Sequence, residues 1–135
     1  MGMLHHVSLG VADIERAMEM YDAILAPLGY VRVWSDLRPG ELDQAVGYGL
    51  PNEGDELSLK FRPSSVRVSE GFHLAFTAPD NSAVDAFYAA AIRTGAKDNG
   101  VPGYRLNYGP NYYAAFIVDL DGYHLEAVAN SDVRA

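Results

Sequence analysis

Two histidines and one glutamate are the residues of this sequence best suited to metal chemistry, namely His6, His73 and Glu126. Two imidazoles and one carboxylate, with further coordination positions left open, suit Fe(II) and also Mn, Ni or Zn. Binding requires neutral imidazoles and an ionised carboxylate, and neutral pH provides both. We therefore predict that the three residues bind one divalent ion, whose identity among these metals stays open. Glu126 could in addition move a proton as a catalytic residue.

A nearly constant spacing relates these residues to others along the chain. Two pairs are 66 residues apart and three are 67 apart: Leu59 and Leu125, Lys60 and Glu126, then His6 and His73, Asp13 and Asp80, Tyr21 and Tyr88. Repetition on this scale indicates two copies of one supersecondary unit. Lys60 then stands at the position equivalent to Glu126, although an interpretation shifted by two residues places Ser58 there.

The elements that must position these residues follow the same repeat. In the first copy we predict a strand at 4–11, a helix capped by Asp13 and stopped by Gly29, and strands at 30–34, 44–49 and 56–62. In the second copy we predict a strand at 71–78, a helix that begins at 79–82 and ends at Gly95, and strands at 112–118 and 123–128. No strand can be placed within the polar, Gly/Pro-rich stretch 97–110.

This order predicts an α+β fold with two tandem β-α-β-β-β modules, residues 4–62 and 71–129, in one domain spanning 1–135. Their curved mixed sheets would surround an open cleft, and equivalent positions of the two modules would point into it. His5 neighbours His6 and should face the other way, as a surface or interface residue. His124 shares a face with Glu126, so it is either a partner of the site, including a proton shuttle, or a solvated residue at the cleft opening.

Cationic and aromatic residues near these strands bear on the substrate. We predict substrate-binding roles for Lys60, Arg62, Arg105 and Tyr113, which would suit a small, oxygen-rich and anionic or enolisable molecule. The alternative for the tyrosines is that they are half-buried strand residues, because tyrosine is common in strands.

Composition narrows the function classes. The chain has 135 residues, a net charge of -8 and no cysteine. The acidic charge disfavours nucleic acid and anionic membranes as partners, and the lack of cysteine excludes disulfides and thiolate metal sites. We expect a cytoplasmic protein, since the sequence carries no apparent signal peptide or membrane-spanning run.

Three segments resemble the vicinal-oxygen-chelate superfamily, which includes glyoxalase I, extradiol dioxygenases, fosfomycin-resistance proteins and bleomycin-binding proteins. They are residues 4–11, 71–76 and 121–126, and the last, Asp-Gly-aromatic-x-Leu-Glu, is the most specific. The resemblance implies metal ligands at His6, His73 and Glu126, with Lys60 at a fourth place where glyoxalase I has a ligand. A protonated lysine cannot bind a cation, so the pattern is closer to the dioxygenase and fosfomycin-resistance branches.

The resemblance leaves two functions open. One is a metalloenzyme, a lyase/isomerase or dioxygenase, whose ion chelates adjacent oxygens of a small substrate. The alternative is a metal-free protein that binds a small molecule in the same cleft, as bleomycin-resistance members do, and Lys60 favours it. The resemblance also implies a homodimer in which His6 comes from one chain and His73 and Glu126 from the other. The alternative is a monomer in which the two modules of one chain face each other.

Overall fold

The structure is a computed structural model that describes residues 2–64 and 66–130. The elements are β1 (Val7–Val11), α1 (Ile14–Leu25), β2 (Val31–Asp36), β3 (Ala45–Gly49), β4 (Leu57–Phe61), β5 (Leu74–Thr77), α2 (Asn81–Arg93), β6 (Lys97–Asp98), β7 (Gly103–Tyr104), β8 (Tyr113–Val118) and β9 (His124–Ala129). A short 3-10 helix, Ala26–Leu28, follows α1.

The strands form two mixed sheets. The first has the order β1-β4-β3-β2, and the second has the order β5-β9-β8-β6, with β7 also paired to β8. In each sheet the first strand runs parallel to the last one, and the remaining pairs are antiparallel. The predicted α+β fold of two repeated units with one helix each is thus confirmed, and the sheets do not close into a barrel. The stretch 97–110 contains two strands of only two residues each, too short to leave a periodic sequence pattern.

Both helices begin at equivalent aspartates. The side chain of Asp13 accepts a hydrogen bond from the backbone N–H of Arg16 at 3.1 Å, and Asp80 accepts one from Ala83 at 2.8 Å. These bonds satisfy N–H groups that have no partner within the helix. The 3-10 helix that follows α1 ends at Gly29, whose φ of 96° is accessible to glycine without strain.

Each sheet packs one face against the helices. Leu9, Leu59 and Leu125 are buried on that face and belong to one hydrophobic core. Because side chains alternate along a strand, Ser58 and Glu126 lie on the opposite face of their sheets. α1 and α2 pack against each other, and the two sheets share no strand pairing among the described residues. The helices therefore hold the two units together.

The turn between β8 and β9 fastens the second unit to the first. Asp119 accepts a hydrogen bond from the hydroxyl of Tyr21 in α1, and Asp121 accepts one from the backbone N–H of Ala12 at 2.9 Å. The hydroxyl of Tyr123 donates to the carbonyl of Gly10 at 2.8 Å. Burial is the main cause that raises the pKa of Tyr21 and that of Asp119. Within the described part of the chain, no helix is long and apolar enough to cross a membrane.

Candidate metal centre

The structure brings together two of the three predicted ligands. His73 directly precedes β5, and the parallel register pairs Ala75 with Glu126 on β9. Nε2 of His73 lies 2.6 Å from Oε1 of Glu126. The glutamate side chain is only 4% exposed whereas the histidine is 44% exposed, so the pair joins a buried carboxylate to a solvent-accessible imidazole.

The second oxygen of Glu126 is held by a residue that the sequence did not single out for this role. The hydroxyl of Tyr112 donates to Oε2 of Glu126 at 2.5 Å. Burial, followed by the hydrogen bond to Glu126, raises the pKa of Tyr112 to about 12. The phenol therefore stays protonated and remains a donor at neutral pH.

An aromatic ring and a guanidinium group extend the site. Phe116 is the cross-strand partner of Glu126, and its ring centroid is 5.9 Å from that of His73. The guanidinium carbon of Arg105 lies 5.3 Å from the centroid of the Phe116 ring. Nη2 of Arg105 donates to the carbonyl of Val101 at 2.6 Å, which fixes the group in place. Arg105, a predicted substrate-binding residue, thus lies against the ring of Phe116, which in turn neighbours His73.

His124 is exposed and lines the same groove as His73. This groove of about 470 Å³ is also lined by Glu70, Phe72 and Gly122. His124 is the first residue of β9, two positions before Glu126. It is therefore an accessible imidazole close to the pair, and both interpretations proposed for it stay predictions.

His6 lies apart from this pair. It is exposed, just before β1, and Nδ1 of its ring is 2.9 Å from Nδ1 of His5. In residues 2–64 and 66–130, no group of three His, Cys, Asp or Glu side chains is placed to hold a metal ion. The alternative in which one chain alone gathers His6, His73 and Glu126 in a single cleft is therefore not seen in the described residues, and the site shared between two chains stays a prediction.

The strand register assigns the position equivalent to Glu126. Ser8 pairs with Ser58, and Ala75 pairs with Glu126. Since Ser8 and Ala75 are 67 residues apart, Ser58 rather than Lys60 matches Glu126. Ser58 is buried, and its hydroxyl is 2.8 Å from that of Ser8.

The other predicted substrate-binding residues occupy different places. Lys60 is exposed on β4, and the adjacent Arg62 donates to the carbonyl of Phe61 at 2.7 Å. In the described residues, neither forms a hydrogen bond or salt bridge with the histidine–glutamate pair. Tyr113 donates to Asp85 of α2 at 2.7 Å, so it faces the helix layer and not the site. In the structure Tyr113 shares its face of β8 with buried Ile117, and Tyr112 lies on the opposite side.

The donor set fits a divalent ion. Imidazole nitrogen and carboxylate oxygen bind such ions at about 2.1 Å, so two neighbouring donors lie about 3 Å apart. The 2.6 Å spacing between His73 and Glu126 is within a few tenths of an ångström of that value. A third protein ligand for such an ion would have to come from outside the residues that surround the pair in the described structure.

Comparisons with known proteins identify the family. A family model described as the Glyoxalase/Bleomycin resistance protein/Dioxygenase superfamily matches residues 3–127, so the chain belongs to this superfamily. The resemblance seen in the sequence is thereby confirmed. No curated protein matches the sequence.

Solved structures of the superfamily have the same fold. A glyoxalase/bleomycin resistance protein from Albidiferax ferrireducens T118 is 26% identical with a TM-score of 0.78, over 96% of this chain and 100% of that one. Glyoxalase I from Zea mays is 23% identical with a TM-score of 0.71, over 93% of this chain and 45% of that one. The fosfomycin resistance protein FosX from Listeria monocytogenes is 16% identical with a TM-score of 0.67, over 97% and 95%. The last two likenesses show the fold alone.

Proposed function

We propose that this protein is a metal-dependent enzyme that acts on a small substrate with adjacent oxygen atoms. It works as a homodimer, in which His73 and Glu126 of one chain and His6 of a second chain bind the ion. The observation that carries the proposal is the buried Glu126, which presents one oxygen to His73 while no third metal-ligating side chain of the same chain joins the pair in the described residues. The lyase/isomerase and dioxygenase reactions both remain within this proposal.

The surroundings of Glu126 favour a bound metal ion, and not a lysine or arginine side chain, as the positive charge that compensates its carboxylate. A carboxylate that is 4% exposed is costly to ionise unless cations or donors compensate it. Tyr112 and His73 supply donors, but no lysine or arginine forms a salt bridge with this carboxylate in the described residues. A divalent ion would supply the missing positive charge.

The chain's own residues then have separate tasks. When bound, the ion would act as a Lewis acid toward the oxygens of the substrate. Arg105, stacked on Phe116, lies where it can bind an anionic part of that substrate. His124, exposed in the groove beside His73, would accept or return a proton. Glu126 would hold the ion through one oxygen, while Tyr112 donates to the other.

The packing of the two units supports a site shared between chains. α1 packs against α2, so the helices lie between the units, and the two sheets do not pair with each other in the described residues. β1 and β5 each end their sheet and carry an unpaired edge in the described structure. A two-fold operation can bring β1 of one chain beside β5 of another and close two equivalent clefts. His6, at the start of β1, would then approach the partner's site.

Mixed dimers test the shared site. His6→Ala and Glu126→Ala chains are each expected to bind less than a tenth of the wild-type metal. After subunit exchange, each mixed dimer should contain one intact site and one site with both lesions, so metal binding returns. No recovery despite demonstrated exchange would contradict the proposal.

The second candidate function is metal-free binding of a small molecule. It is favoured by the hydrogen bond between His73 and Glu126, which satisfies both side chains without an ion. Metal analysis separates the two functions. About one ion per chain, lost in His73→Ala, supports the enzyme, whereas no uptake of Fe, Mn, Ni or Zn by the refolded or reconstituted wild type supports the binder.

A further inference from the structure

We infer that Tyr112 is a positioning residue that makes Glu126 a ligand through one oxygen only. This inference rests on the proposed metal site, because it concerns how one of its ligands is presented. Tyr112 binds Oε2 at 2.5 Å, and Oε1 is the oxygen that faces His73 at 2.6 Å. Tyr112 therefore holds Oε2, and Oε1 is the oxygen left to bind the ion.

No other side chain shares this task in the described residues. In this part of the chain, the side chain of Glu126 forms hydrogen bonds with two side chains, those of Tyr112 and His73. Since Glu126 is almost fully buried, water has little access to replace the phenol. Loss of the hydroxyl would leave Oε2 without a donor, which is costly for a buried carboxylate.

The loop before β8 keeps Tyr112 in place. Its carbonyl accepts the N–H of Arg105 at 2.8 Å, and its own N–H donates to Gly109 at 3.3 Å. Its ring packs against that of Tyr108, with centroids 5.2 Å apart. The phenol is thus anchored at the backbone and at the ring, and its hydroxyl points at one defined atom.

One-oxygen binding has a consequence for the substrate. A carboxylate that binds through both oxygens occupies two coordination positions, whereas one that binds through a single oxygen leaves a position open. A substrate that chelates through two oxygens needs two open positions. Tyr112 therefore preserves room for the substrate by occupying the oxygen that would otherwise turn to the ion.

The test compares two neighbouring tyrosines in the cobalt-loaded protein. Tyr112→Phe should weaken Co²⁺ affinity 10- to 100-fold, as changes next to metal ligands commonly do. It should also change the visible absorption of bound Co²⁺, which reports the coordination geometry, and weaken binding of the two-oxygen chelator acetohydroxamate at least 10-fold. Tyr113→Phe removes a hydroxyl that faces α2, so its Co²⁺ affinity, spectrum and acetohydroxamate binding should match the wild type.

The outcomes separate this inference from the proposed function. If the wild type takes up no metal, the proposed function and the inference both fail. If the wild type binds Co²⁺ and Tyr112→Phe matches Tyr113→Phe in affinity, spectrum and acetohydroxamate binding, only the inference fails. Should Tyr112→Phe not fold, a crystal structure of the metal-loaded wild type decides. Glu126 bound through Oε1 alone supports the inference, and binding through both oxygens overturns it.

Discussion

Tyr21→Phe is expected to destabilise the protein through the turn that joins its two units. The hydroxyl of Tyr21 donates to Asp119, and both residues are buried, at 1% and 5% exposure. A hydrogen bond to a charged group contributes roughly 1.5–3 kcal/mol, and a buried carboxylate that loses a donor keeps its desolvation cost. Asp119 retains backbone donors at Asp121 and Tyr123, so we place the loss at about 2 kcal/mol.

Tyr48→Phe is the matched control. Tyr48 is equally buried, at 1% exposure, and its hydroxyl donates to Asp22 at 2.8 Å. Asp22, however, has 42% of its side chain exposed and forms a salt bridge with Arg32. Water can replace the lost phenol there, so the expected loss is roughly 0.5–1 kcal/mol. The two variants delete the same atom, and they differ mainly in the burial of its partner.

The pH dependence of Tyr21→Phe gives a second criterion. Burial raises the pKa of Asp119, so the fold favours its protonated form, and this stabilisation is lost as the pH rises through the folded-state pKa. The bond from Tyr21 acts in the opposite direction, because it favours the ionised carboxylate. The stability lost in Tyr21→Phe should therefore be greatest at neutral pH and become smaller as the pH falls through the folded-state pKa of Asp119.

Urea unfolding at pH 7.5, and at the lowest pH where the wild type still unfolds cooperatively, measures both effects. Thermal unfolding should show the same order, at roughly 3–5 °C for each kcal/mol in a chain of this size. Equal losses for Tyr21→Phe and Tyr48→Phe, or a Tyr21→Phe loss that does not change with pH, would refute the assignment of this energy to the buried carboxylate.

Three further outcomes follow from local geometry. A Cβ at Gly47 would overlap the indole of Trp34, so Gly47→Ala should displace the chain's single tryptophan and shift its emission to longer wavelength. Gly54→Ala, where a Cβ meets nothing within 4 Å, should leave the emission unchanged. Asp13→Ala and Asp80→Ala should each cost about 1 kcal/mol in urea unfolding, because each removes a helix cap. Adding a chelator to metal-loaded protein should lower its melting temperature, and metal-free protein should not respond.

The repeat in the sequence predicted much of the fold because equivalent residues perform the same local task. Asp13 and Asp80 cap equivalent helices, and capping depends only on a few neighbouring residues. The region 97–110 was different, since strands of two residues are defined by their partner β8 and not by their own pattern. The predicted match of Lys60 with Glu126 differs from the observed one for a related reason. The sequence offset between the two copies is one residue larger from β4 to β9 than from β1 to β5, and only the strand register shows that Ser58 matches Glu126.

The histidine–glutamate pair could be anticipated, but its supporting residue could not. His73 directly precedes β5 and Glu126 lies on β9, the parallel neighbour of β5, so a prediction of the strand order already brings them close. The choice between Tyr112 and Tyr113 depends on which residue begins β8, and a shift of one residue exchanges the two faces. Two adjacent alanines, Ala114 and Ala115, are both buried and give no alternation to settle the phase.

The position of His6 shows how repeat symmetry and packing contribute different information. His6 and His73 occupy equivalent positions in the two units. Symmetry therefore predicts that both face the side of their sheets opposite to the helices. Whether the two imidazoles meet depends on how the units pack. Here α1 packs against α2, and the predicted ligand residues of one unit do not reach those of the other in the described structure. Under the proposed function a second chain supplies the missing unit, so metal affinity should depend on protein concentration, and dilution below the dimer dissociation constant should release the ion.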